Sequence, residues 1–111
     1  LVSKAATPMP ALMWAPFPDE AAALRAIEAL LEDGLIGCGN VMREVRSVFR
    51  WQGRTDSAEE AVVVFKTNAA LLERAVARLS ERHPYEEPAI LGWICDAAAP
   101  ATVAWLAGLP G

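Results

Sequence analysis

One histidine, two cysteines and a lysine closing an apolar run are the side chains of this 111-residue chain with the most chemical scope. The histidine lies in His83-Pro84-Tyr85-Glu86-Glu87-Pro88. An imidazole there offers a metal ligand or an acid–base group. The plainer reading is a helix-closing residue that meets the last carbonyls. A stable metal site needs about three protein ligands or more, and copper favours soft donors. No Cys or Met lies near His83 in sequence. Cys38 and Cys95 are too few for a disulfide scaffold and lack a zinc-type spacing. They read as packed, reduced thiols.

Lys66 directly follows the run Ala61–Phe65. A charge in that position is costly unless paired, so Glu60 or a bound anion is the expected partner. Glu86 and Glu87, with Asp96 and Glu60, supply carboxylates for a hard cation, or simply a solvated surface. Trp51, Trp93 and Trp105 read as core or interface aromatics in preference to a ligand cage. The sequence has no nucleophile elbow, phosphate-binding glycine loop, dinucleotide fingerprint or HExxH helix. It therefore points to a binding protein and not to an enzyme.

Composition narrows the setting. The net charge of −4 and the pI near 4.9 argue against general nucleic-acid binding. No run of about 18 apolar residues would span a bilayer. Residues 1–10 lack the long apolar core of a secretory signal, so a cytoplasmic location is expected. Hydrophobic residues make up 54%. A chain of this size hides only about two-thirds of its surface, so contacts between copies are expected.

The elements needed to position these residues follow from periodicity. Residues 1–9 read as a flexible tail, and 10–111 as a single domain. Pro10–Ala15 reads as a strand stopped by Pro16 and Pro18. Asp19 and Glu20 open a helix with Leu24, Ile27 and Leu31 on its apolar stripe, ended by Gly34. Leu35–Trp51 alternates as one long strand, with Val41, Val45, Phe49 and Trp51 on one face. Gln52–Ser57 reads as the hairpin loop, and Ala61–Phe65 as a strand buried on both faces. Asn68 is the expected N-cap of a second helix carrying Leu72, Val76 and Leu79, which ends before Pro84. Ala89–Cys95 gives the last strand and Pro100–Leu106 a short terminal helix. The order βαββαβ, with right-handed crossovers, predicts an α+β, ferredoxin-like antiparallel sheet with two helices on one face. Two strands apolar on both sides then call for cover on the second face, most economically from identical copies.

Six segments together resemble the CutA-type divalent-cation tolerance family. They are Pro18-Asp19-Glu20, Leu35-Ile36-Gly37-Cys38-Gly39-Asn40-Val41, Trp51-Gln52-Gly53-Arg54, Glu60, Lys66-Thr67 and the His83–Pro88 segment. The resemblance implies a ferredoxin-like protomer and a tight homotrimer whose long hairpins extend edge to edge between subunits. It also implies a role in tolerance of divalent metals such as copper. Copper-binding members tend to carry Cys where Ala15 stands and Glu where Ala89 stands, which leaves His83 as the one metal candidate of that set. Lys66, His83, Tyr85, Trp51 and Glu60 are the expected residues of clefts between subunits. The alternative function is a PII-like regulatory trimer that binds a small anion or metabolite in those clefts. A third is an interaction trimer with no small ligand.

Overall fold

The computed structural model describes residues 6–111. The elements are β1 (Pro10–Phe17), α1 (Glu20–Glu32), β2 (Cys38–Trp51), β3 (Arg54–Asn68), α2 (Leu72–Arg82), β4 (Leu91–Ile94) and α3 (Pro100–Ala107). The strands form one antiparallel sheet in the order β2-β3-β1-β4. The tail expected over residues 1–9 falls partly outside the described residues. At its end, the Met9 carbonyl already accepts from Ala69 N at 2.8 Å.

Strand alternation sorts side chains onto two faces. Met13, Ala15, Phe17, Ala61, Val63 and Phe65 point to one of them and pack with Ala22, Ala23, Ala26, Ile27, Leu30, Ala75 and Leu79 of α1 and α2. The helices approach closely. A Cβ on Gly39 would come within 2.6 Å of Ile27. That approach selects the alanine side of α1. Leu24 and Leu31, expected on the buried stripe, are instead exposed. Asp19 caps α1 by accepting from Ala22 N at 2.8 Å, and Gly34, at φ 71°, ends it as expected.

Pro16 does not stop β1, which pairs with β3 as far as Phe17 and Ala61. Cys95 N donates to the Pro10 carbonyl on the β4 side. With a period of two, position 16 turns its missing N–H toward that same edge. Pairing with β4 has already ended there, at Trp14, so the proline removes no ladder bond.

In β2, Met42 pairs with Val62 but Val45 pairs with Glu60. Arg43 and Glu44 together oppose Ala61, a bulge that holds Glu44 at φ 59°. The extra residue inverts the alternation. Parity places Val45, Phe49 and Trp51 on the face of Val41, but they join Met42 on the face away from α1 and α2. The hairpin closes in two residues, Gln52 at φ 51° and Gly53 at φ 75°, and Arg54–Ser57 belong to β3, not to a longer loop.

Asn68 ends β3 and does not cap α2 directly. Its Oδ1 accepts from Leu71 N at 3.0 Å and its Nδ2 donates to the Leu106 carbonyl at 2.8 Å, tying α2 and α3 to the sheet. β4 is shorter than expected, and Leu91, Trp93 and Ile94 are exposed.

Candidate functional site

Helix α2 ends at Arg82, and Pro84 sends the chain around the edge of β1. His83 is placed at that corner and is buried. Its ring stacks on Phe17, with centroids 4.4 Å apart and planes at 20°. Nδ1 accepts from the Tyr85 backbone N–H at 3.1 Å. A nitrogen that accepts carries no proton, so the proton sits on Nε2, which donates to the Pro16 carbonyl at 2.7 Å. That carbonyl lies past the end of β4, so the imidazole stands in for a strand partner. Burial pushes the His83 pKa below 6.5, against the opposing pull of the Pro16 bond and the Glu60 charge.

Tyr85 follows on the same turn and donates its hydroxyl to Glu60 Oε2 at 2.8 Å. Glu60 is a nearly buried β3 carboxylate at the bulge. Burial, then the Glu60 hydrogen bond and charge, push the Tyr85 hydroxyl up to about 12. A raised acid pKa in the folded state stabilises the fold below the unfolded value of 10 and loses that contribution as pH climbs through 10 toward about 12. Tyr85 is the chain's single tyrosine. Its tyrosinate absorbance is therefore expected to titrate near 12 in the native protein and near 10 in denaturant.

Beside Glu60 a cleft of about 460 Å³ opens at the root of the β2–β3 ribbon. Asp19, Glu20, Glu44, Glu59 and Glu60 line it, with Arg43 as the one cation. The ion pairs Arg43–Glu20 (3.7 Å) and Arg46–Glu59 (4.0 Å) are exposed and contribute little. Neither the cleft nor the parts played by Pro16 and Phe17 were legible beforehand. Both depend on the bulge and on where β4 stops, and only the Arg-Glu interruption at 43–44 hinted at the first.

The structure brings together three of the five expected residues, His83, Tyr85 and Glu60. Lys66 lies six residues along β3 from Glu60, about 20 Å at strand rise. It sits half-buried on the face away from α1 and α2, in one cross-strand row with Cys38, Leu12 and Trp93. Trp51 is at the hairpin tip, six residues beyond Val45, and is exposed. Cys38 and Cys95 are free, part-exposed thiols at opposite edges of the sheet. Among the described residues, no three His, Cys, Asp or Glu side chains are grouped to hold a metal ion. A metal at His83 would have to displace one of the two ring bonds. The donors described in one protomer do not fit a copper site.

Comparison with known proteins covers almost all of these elements. Residues 11–108 match the family model described as CutA1 divalent ion tolerance protein. The divalent-cation tolerance protein CutA of Pyrococcus horikoshii is 33% identical over 95 residues, 86% of this chain and 92% of its own length. That of Thermotoga maritima is 38% identical over 79 residues, 71% of this chain and 77% of its own. Among solved structures, the divalent cation tolerance protein of Thermus thermophilus superposes with a TM-score of 0.87 at 26% identity, covering 93% of this chain and all of that one. With four antiparallel strands, three helices and a family match running from β1 through α3, the chain belongs to the CutA1 divalent ion tolerance family.

Proposed function

We propose that the chain acts as a cytosolic homotrimer of ferredoxin-like protomers, a non-enzymatic binding protein in the response to divalent metal ions such as copper. One observation carries the reading. An apolar stripe runs from Leu91 and Trp93 across Leu12, Trp14, Val64 and Met42, and continues past the bulge to Val45, Phe49 and Trp51. Leu91, Trp93, Met42, Phe49 and Trp51 are each more than two-fifths exposed in the single chain. A continuous patch of this kind calls for a partner surface. The chain extends 59 Å in its longest dimension against 26 and 24 Å, because the ribbon carries the stripe away from the body. Such an arm reaches a second copy more readily than it folds back. The two free thiols suit a reducing compartment. Any cation contact would have to combine the carboxylates at the ribbon root with donors from another copy, because the described residues of one chain group no three ligands. Sedimentation equilibrium at low micromolar concentration is expected to give three times the 11.9 kDa chain mass. A stable folded particle of one chain mass would remove the reading.

Lys66 favours a second ligand class. Among the described residues it makes no ion pair, and it lies on the apolar face that assembly would cover. Covering it without a counter-charge is costly, so an anion between copies is supported. Thermal-shift screening of small organic acids and nucleotides tests this. A binder raises the unfolding midpoint, and Lys66→Met should abolish the rise.

A further inference from the structure

We propose that His83 is not a metal ligand but a clasp that holds only while uncharged, making residues 83–88 an acid-released strap over the β1 edge. The geometry assigns every polar atom of the ring. Nε2–H donates to the Pro16 carbonyl, Nδ1 accepts from Tyr85 N–H, and the ring face lies on Phe17. No lone pair remains for a metal without dismantling the turn. Protonation at Nδ1 sets two donors against each other, N–H facing N–H, and breaks the bond that orders Tyr85.

The charged and titratable surroundings do not rescue the cation. From β3 comes Glu60, whose charge favours the protonated ring but is outweighed by burial. Asp19, at the α1 cap, acts on Tyr85. The neighbouring Arg82 of α2 is exposed, as are Glu86 and Glu87 of the strap, and the β1 residues against the ring, Ala15 to Phe17, are uncharged. In the unfolded chain His83 regains its ordinary value of 6.5. A base whose folded pKa is lowered leaves stability intact above 6.5 and loses it as pH falls below that toward the folded value. Release of the strap frees the Pro16 carbonyl, uncovers Phe17 and detaches Tyr85 from Glu60, so the loss is local before it is global.

Ring-nitrogen and amide NMR of the full chain test this. At pH 7 the ring should show the neutral Nε2–H tautomer, and its titration midpoint should fall below 6.5. Tyr85 amide protection should disappear with the same midpoint, and stoichiometric zinc(II), a diamagnetic ion, should leave the His83 ring-nitrogen shifts unmoved. A ring that titrates at 6.5 or above with the Tyr85 amide unmoved would overturn the clasp, and so would a zinc-induced shift of the His83 ring nitrogens. Tyr85→Phe keeps the backbone N–H and removes only the Glu60 bond. It should preserve the coupled titration, which separates the clasp from a general loss of fold.

Discussion

Replacing Phe17 with alanine is expected to destabilise the protein by about 3–5 kcal/mol, the usual range for truncating a fully buried phenylalanine. Phe17 has no exposed surface. Its ring lies 6.3 Å from that of Phe65 and 4.4 Å from that of His83. The side chain therefore joins the main core to the strap. A domain of this size has only about 5–15 kcal/mol in total, so the loss is a large share. Urea unfolding at a fixed protein concentration should show a lower midpoint with an unchanged slope. A second readout distinguishes this residue from other core positions. With the ring gone, water reaches the imidazole, and the His83 pKa should rise back toward 6.5. An unfolding free energy within about 1 kcal/mol of the unmutated protein's, or an unmoved His83 titration, would show that the ring does not bridge the two.

Residues whose conformation is decided locally were readable in the sequence. Asp19 starts α1 and Gly34 stops it because a carboxylate can cap and a glycine can turn left-handed, whatever the rest of the chain does. Element order and sheet type followed from periodicity in the same way. The failures share one cause, which is that partners distant in sequence decided them. Leu24 and Leu31 fit a helical stripe as well as Ala22 and Ala26 do. The close approach of Ile27 to Gly39 is what turns the alanines inward. Pro16 looked like a stop because a proline lacks its N–H, and only the end of β4 makes that loss free. The Arg43-Glu44 bulge reverses the facing of every later β2 residue. No property of either residue alone announces that. Of the expected cleft residues, His83, Tyr85 and Glu60 meet within one protomer because the strap and β3 pass the same point. Lys66 and Trp51 lie at other places on the stripe, where only a second copy could bring them near.

Trp93→Glu should separate assembly from folding more sharply than any other single change. Trp93 is 46% exposed in the isolated chain and pairs with Leu12 on the short edge strand β4. For a surface position in a monomer, such a substitution would move stability by about 0.5 kcal/mol or less. If the stripe is a contact between copies, the same position is a buried aromatic anchor. Anchors of that kind cost about 2 kcal/mol or more per interface when removed, and a buried unpaired carboxylate adds to the loss. At about 1.4 kcal/mol per factor of ten, each interface weakens by roughly thirtyfold or more. In a closed ring of three identical contacts the penalty recurs at every one. The variant is therefore expected to sediment as a folded single chain at concentrations where the unmutated protein is fully assembled. Its far-ultraviolet circular dichroism should match that of the parent, because α1, α2 and the core they enclose lie on the other face of the sheet. Phe49→Glu, on the ribbon beyond the bulge, should act in the same direction, since Phe49 belongs to the same stripe. A Trp93→Glu protein that remains fully assembled would place the contact elsewhere. One that dissociates while Phe49→Glu does not would confine the contact to the sheet and leave the ribbon outside it.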